Sequence, residues 1–463
     1  MLPLTAARAA TMPTGYVSVK DYGARGDGAT DDSVAVQRAM NANLNVWFPA
    51  GTYLVGMLKL RSNHRLAGEG VPTRLKQKAG AFYCVSANPG SEGFADPAKN
   101  LTGIRINDMV FEGQSGNVAF DERVHLLNLN GVTDVVVEGC HFIKAVADGI
   151  YIGSSNTGST ERHNYRVTVR NCAFDGFTKN NRNAISIIDG TDILIDNCKF
   201  LRWGRPDMPG MIDIEPNPGI NDSFSRIKRI TISNCTMWDN AGAAFFSLAL
   251  RPQDKLAYPA DDIRIINCRC VGNGQVHQIG LMVCQSAHGD TVNPNVNTAP
   301  LNLLVSGCSF ENVFRPLNIW ASKGIRIENT NFVGSRAYGT LGDANNVYRN
   351  RDISFKNVLF KYLGNDKTYG LTSLRICGVD ELSFDGCRFE DCGPTDGVNG
   401  QGLVFAGSCA SSYVALVNTT ITAPLGRTRK GITVTSSHQL YVASNVQQNT
   451  VLSNVVGNDF RPI

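Results

Sequence analysis

Two carboxylates two positions apart, Asp213 and Glu215, stand in the segment Gly210-Met211-Ile212-Asp213-Ile214-Glu215-Pro216-Asn217-Pro218. Its apolar/polar alternation predicts a strand, so both carboxylates leave one face, with Cα atoms ~6.5–7 Å apart. Carboxylates held that close titrate apart, one ionised and one keeping its proton. Acid/base cleavage of a glycosidic bond requires such a pair: a general acid, and a nucleophile or base. Pro216 and Pro218 fix the backbone beside them. Asp148, just ahead of Gly149-Ile150-Tyr151-Ile152, is a third candidate acid on the same face. Around these, Tyr151, Arg182, Trp203, Arg251, Asn318 and Trp320 are candidates for substrate binding. The arginines would meet acidic sugars, and the aromatic rings would form stacking walls or platforms. Plainer readings stand beside each: solvated strand residues, solvated arginines, tryptophans in a core. Asp189 reads as a turn residue, and His163 and His288 as solvated loop residues.

Strands must position these groups, and one short word supplies them. An Asn or Gly, a Cys, any residue, then a large apolar or sulfur side chain recurs at Cys140, Cys172, Cys198, Cys235, Cys268, Cys308 and Cys387. Thr330 and Val358 take the Cys place in looser copies, and the spacing from copy to copy lies between 22 and 40 residues. A period in that range marks a repeat architecture. Each word is expected within a half-buried strand, with the Cys and the following Phe on the inward face. A second strand follows, as in Ala184-Ile185-Ser186-Ile187 and Pro316-Leu317-Asn318-Ile319. Two or three strands per repeat, Gly and Asn at the corners and no long amphipathic helix predict an all-β fold: a single-stranded right-handed parallel β-helix. A β-propeller would need four strands per blade and more regular spacing. Aligning the Ile-x-Ile strands gives an outward column of Asn128, Tyr151, Ser186 and Asp213, continued later by Asn318 and Arg375. One rung rises ~4.8 Å, close to one sugar unit, so the column suits a linear polysaccharide.

The chain opens on Asp21-Tyr22-Gly23-Ala24-Arg25-Gly26-Asp27-Gly28-x-x-Asp31-Asp32, followed by Phe48-Pro49-Ala50-Gly51-Thr52-Tyr53. Thr30 or Asp31 can cap the short helix that follows, which would cover the open end of the β-helix. This opening resembles that of the pectate-lyase-like superfamily. It is closest to the branch of polygalacturonase-related bacterial enzymes and phage tailspike depolymerases. The resemblance implies a right-handed β-helix and chemistry on glycans: hydrolysis, lysis, epimerisation or fructan transfer. It departs from the true polygalacturonase pattern, lacking Asn-Thr-Asp, paired-Asp and Gly-His-Gly sets on successive rungs; Arg226-Ile227-Lys228 precedes an ordinary core strand. Glycosidic chemistry remains open without that set.

The expected domains are a leader or signal-peptide remnant over 1–14 and one β-helix domain over 15–463, with cap and first rungs over 15–75. The leader implies a secreted or periplasmic protein. Lys and Arg number 44 against 40 Asp and Glu, a net charge of +4 that points to neither nucleic acid nor a membrane surface as partner. The expected partner is a polysaccharide or oligosaccharide, with the chain a monomer or homotrimer. Thirteen cysteines read as small apolar packing, although stacked rungs bring some within pairing distance. No metal and no cofactor is expected; Ca²⁺ enters only under a lyase or epimerase alternative, with Tyr151, Arg182 and Arg375 as its groups. A non-catalytic glycan-binding tailspike-like protein is the third possibility.

Overall fold

The computed structural model describes residues 11–453, apart from 88–99, 154–161, 178–179, 217–224, 251–259, 286–298, 343–348, 371, 395–400, 406–410, 426–429, 435–439, 443–446 and 449–450. Most of the predicted leader, residues 1–10, lies outside the described residues. The chain divides into two compact units, Met1–Ala243 and Ala244–Ile463. Within each, the strands build three parallel sheets, and the fold is a right-handed parallel β-helix.

One rung of the first unit shows the logic. Val132–Glu138 lies in sheet A, His141–Ile143 in sheet B and Ile150–Gly153 in sheet C. The next rung repeats the order with Tyr165–Arg170, Ala173–Asp175 and Ile185–Ile187, and the one after with Gly190–Asp196, Lys199–Leu201 and Gly210–Ile214. Strands pair in parallel with the rung above: Val135 faces Val167, Phe142 faces Phe174, and Tyr151 faces Ser186.

The repeated word corrects one expectation. It is a corner between sheets A and B, not the middle of a strand. Its first residue takes the left-handed conformation, with φ 64 at Gly139, 55 at Asn171, 49 at Asn197 and 54 at Asn234. Only Gly, and Asn at modest cost, visits that region readily. Asn also bonds along the corner: Asn197 Nδ2 donates to Asn171 Oδ1 at 2.8 Å. At Gly139 a Cβ would stand 2.3 Å from Asp108 Oδ1, so a side chain there would have to push the Asp108 carboxylate aside.

After the corner, both Cys and the aromatic residue point inward as expected. Cys140, Cys172, Cys198 and Cys235 are buried, and their thiols donate to backbone carbonyls of their own rung and the preceding one. The rings of Phe111, Phe142, Phe174 and Phe200 stack face to face at 4.8, 4.9 and 4.8 Å. In the second unit Phe310, Phe332, Phe360 and Phe389 repeat the stack at 5.0, 5.5 and 4.6 Å. Eleven of the cysteines are free and buried, and Cys377 is disulfide-bonded.

At the start of the chain the helix Ser33–Ala42 turns Val36, Ala39 and Met40 inward. Its capping residue is Asp32 rather than Thr30 or Asp31, and the Asp32 carboxylate accepts from the backbone of Arg25 at 2.7 Å and Gly26 at 3.0 Å instead. The Gly-rich stretch is therefore a turn locked onto the helix start. Gly26 is needed in it, because a Cβ would meet the Tyr53 ring at 2.9 Å. No helix among the described residues is long and apolar enough to cross a membrane.

Candidate active site on sheet C

The expected outward column forms in sheet C of the first unit. Asn128 pairs with Tyr151, Tyr151 with Ser186 and Ser186 with Asp213. The isoleucines on either side of each column residue fill the core: Ile150 and Ile152, Ile185 and Ile187, Ile212 and Ile214.

The column does not lie open to water as the alternation implied. Asn128, Ser186 and Asp213 are fully buried, and so is Asp148. The stretch of residues 180–184, just ahead of Ile185–Ile187, bonds to Asp148, Ser186 and Asp213. It is clamped there by its own polar groups. Arg182 N–H donates to Ala147 O at 3.0 Å, and Asn183 N–H donates to Asp148 Oδ1 at 3.0 Å. Asn183 Nδ2 donates to Ser186 Oγ at 2.9 Å and Asp213 Oδ2 at 3.2 Å, while its Oδ1 accepts from Gly210 N–H at 3.0 Å.

Arg182 ties the carboxylates together. Its Nη1 lies 3.1 Å from Asp148 Oδ2 and its Nη2 lies 3.4 Å from Glu215 Oε2. Ser186 Oγ donates to Asp148 Oδ2 at 2.9 Å. Burial works against the guanidinium's charge, but Asp148, Asp213 and Glu215 more than offset it and raise its pKa. Asp148 from one rung, and Asp213 and Glu215 from the rung two further on, thus act on one cation held by the rung between. Glu215 and Arg182 reach solvent, with 22% and 13% of their side chains exposed, whereas Asp148 does not.

An aromatic stack adjoins the cluster. The His125 ring lies parallel to Tyr151 at 4.4 Å and to Tyr83 at 6.0 Å. Burial, with Asp148 adding to it, pushes the Tyr151 phenol up to about 12. Burial pulls His125 down to about 4, overcoming the opposing pull of Asp148. The imidazole is neutral at pH 7, so its 3.4 Å approach to Asp148 Oδ2 is a contact of a neutral ring rather than an ion pair.

His125 therefore sets a pH dependence. The unfolded imidazole titrates near 6.5 and the folded one near 4. Between those values the unfolded chain binds more protons, so this contribution is present above about 6.5 and lost as pH falls toward 4. At 1.36 kcal/mol per unit it amounts to at most about 3 kcal/mol. From pH 6.5 to 4.5 the thermal midpoint of the wild type is expected to fall more steeply than that of His125→Gln; equal slopes would refute this assignment.

Of the residues singled out from the sequence, Asp148, Tyr151, Arg182, Asp213 and Glu215 come together here. Trp203 does not. It is buried in the core, edge-on to Phe174 at 6.0 Å, and forms no subsite wall. Asn318 and Trp320 lie on the strand Arg315–Trp320 of the second unit. Arg251 and His288 fall outside the described residues. Asp189 has the turn role expected, accepting from backbone N–H of Asn164 at 2.9 Å and Arg226 at 2.7 Å. His163 is buried against it at 2.7 Å, not solvated. His125 went unnoticed among scattered histidines; its signal was its place at the head of the strand carrying Asn128. Among the described residues no group of three or more His, Cys, Asp or Glu is arranged to hold a metal ion.

Residues 16–206 match the family model "rhamnogalacturonase A/epimerase, pectate lyase-like", and residues 125–332 match that of the right-handed β-helix region. The plasmin and fibronectin-binding protein A of Streptococcus pneumoniae is 26% identical over 54% of this chain and 35% of its own length. The preneck appendage protein of Bacillus phage PZA is 28% identical over 35% of this chain and 20% of its own. A mannuronan C5-epimerase of Azotobacter vinelandii is 43% identical over 22% of this chain and 13% of its own. The matches thus span about a third or less of these relatives. Among solved structures, pre-mature bacteriophage phi29 gene product 12 superposes with a TM-score of 0.68 over 94% of this chain and 56% of that one, at 17% identity. That likeness concerns the fold alone.

Proposed function

We propose that this chain, which belongs to the pectate-lyase-like superfamily of right-handed parallel β-helices, is a carbohydrate-active enzyme that hydrolyses glycosidic bonds in a polysaccharide or oligosaccharide. The observation that carries the reading is the convergence of Asp148, Asp213 and Glu215 on Arg182 in sheet C. With His125 neutral, the cluster holds three carboxylates against one cation, the composition that acid/base chemistry needs. Glu215, the carboxylate that reaches solvent, acts as the acid or base against the substrate. Asp213, two residues before it and fully buried, is the second carboxylate of the pair and acts on the charge of Arg182. Asp148 acts through Arg182, fixing the guanidinium that orients Glu215. Tyr151 and Arg182 bind sugar beside the reacting bond. The glycan class is supported by the rhamnogalacturonase/epimerase family model over residues 16–206.

The lyase or epimerase alternative asks for a base that removes the proton alpha to a uronate carboxyl. Tyr151 suits that poorly, because a phenol pushed up to about 12 gives its proton up at high cost. An extracellular setting is supported by relatives named as a binding protein and a phage appendage. The test is a panel of neutral, uronate-rich and sulfated polysaccharides, read together for new reducing ends and for the ultraviolet absorbance of unsaturated uronates. Reducing ends without that absorbance are expected. Absorbance rising with them would replace hydrolysis by lysis, and neither signal on any glycan would overturn hydrolysis and leave an epimerase or a binding protein.

A further inference from the structure

The second unit has its own outward sheet C face, and the charge there is of the opposite kind. Its successive strands Arg315–Trp320, Gly339–Leu341 and Thr372–Ile376 align Asn318 with Thr340 and Thr340 with Arg375 in one column. Thr340 Oγ1 donates to Asn318 Oδ1. Tyr338, just ahead of this column, has the Arg315 guanidinium over its ring at 4.9 Å, and Arg315 Nη1 donates to its carbonyl at 3.2 Å. Arg375, in register with Thr340, acts on the same phenol by its charge. Burial raises that phenol, yet hydrogen bonds and charge from Arg375 and Arg315 outweigh it and hold the pKa below the ordinary tyrosine value.

Three other arginines of this unit are neutralised. Arg336 pairs with Asp366 at 2.8 Å, Arg269 with Glu311 at 2.7 Å and Arg349 with Asp380 at 2.5 Å. Arg315 and Arg375 form no ion pair with a carboxylate among the described residues. Two guanidiniums acting on one phenol gather positive charge there, which an oxyanion would neutralise. Beside them stand groups suited to a sugar: the Asn318 and Thr340 side chains for hydroxyls, and Trp320, partly exposed and two residues beyond Asn318, for a ring face.

We infer that Arg315, Arg375 and Tyr338 form a second, non-catalytic saccharide site that grips a carboxylate or sulfate group carried by a sugar. That the oxyanion arrives on a sugar rests on the glycan reading of the first unit; the demand for an oxyanion does not. Hydrolysis is not required of this site. It would hold an acidic chain by its charge, and make binding dependent on ionic strength.

Isothermal titration of the full chain with trigalacturonate, a sulfated trisaccharide and neutral maltotriose tests this, in wild type, Arg375→Met, Arg375→Lys and Glu215→Gln. At least one acidic trisaccharide is expected to bind about tenfold or more weaker to Arg375→Met, with Arg375→Lys between, and the affinity to fall with added salt in wild type. Whichever acidic probe shows this identifies the oxyanion. Maltotriose should bind Arg375→Met and Arg375→Lys as it binds wild type. Acidic binding untouched by Arg375→Met, or no acidic binding at all, overturns the inference. Glu215→Gln separates the two sites: if it binds like wild type but no chain turns over glycan, this site stands and the hydrolase reading fails.

Discussion

Replacing Glu215 by Gln is expected to lower glycan turnover by on the order of 10²–10⁴-fold, the usual loss when a positioned acid/base group is removed. The amide keeps the size of the side chain but can neither take nor deliver the proton. The Glu215 side chain lies at the edge of the cluster, 22% exposed and 3.4 Å from Arg182 Nη2. Its loss should therefore move stability by no more than about 1 kcal/mol, as for other partly exposed pairs. Rate and unfolding midpoint measured on one preparation decide the point. A variant that keeps its midpoint and loses its rate places Glu215 in the chemistry; one that keeps both removes it.

Arg182→Met should differ from Glu215→Gln in lowering stability strongly as well as turnover. Asp148 is fully buried, and so is Asp213, and burial makes their charge costly without the guanidinium. Removing one partner of a buried charge cluster costs about 3–5 kcal/mol. The double variant Arg182→Met/Asp148→Asn should recover a good part of that loss, because the carboxylate left behind is gone too. Arg166→Met is the contrast. Arg166 pairs with Asp134 at 2.6 Å, but both side chains are more than half exposed. An exposed pair of that kind contributes about 0–1 kcal/mol. Denaturant midpoints for the three variants check this. Equal small losses for Arg182→Met and Arg166→Met would mean that the cluster is not held by its cation.

The fold was largely legible because its signals are local. Strand parity turned the Cys and Phe of each repeat inward, and the buried thiols and the Phe111-to-Phe200 stack agree. Parity also aligned Asn128, Tyr151, Ser186 and Asp213, since each rung gives sheet C one Ile-x-Ile or similar strand. The corner role of the repeat was present in the Asn or Gly before each Cys, residues that tolerate positive φ, but it was read as strand. What parity cannot reveal is what covers a face. Asp148 and Asp213 are buried where Arg182 and Asn183, from the stretch ahead of their neighbouring strand, bond to them. That arrangement depends on contacts between rungs, and no local pattern announces it. Trp203 fails for a related reason: it sits in a turn outside any strand, where alternation has no meaning, and the turn tucks it against Phe174. His125 reaches Tyr151 across rungs and Asp148 beyond its own strand, a proximity that sequence distance hides.

The central claim is that glycan chemistry occurs where Asp148, Asp213 and Glu215 meet Arg182. The most direct measurement is a crystal structure of Glu215→Gln soaked with an oligosaccharide that the wild type cleaves. The glycosidic link is expected within hydrogen-bond distance of the Gln side chain at position 215, with adjoining sugars against Arg182 and Tyr151. An intact oligosaccharide bound elsewhere, with no sugar touching Arg182, Tyr151 or position 215, would contradict it.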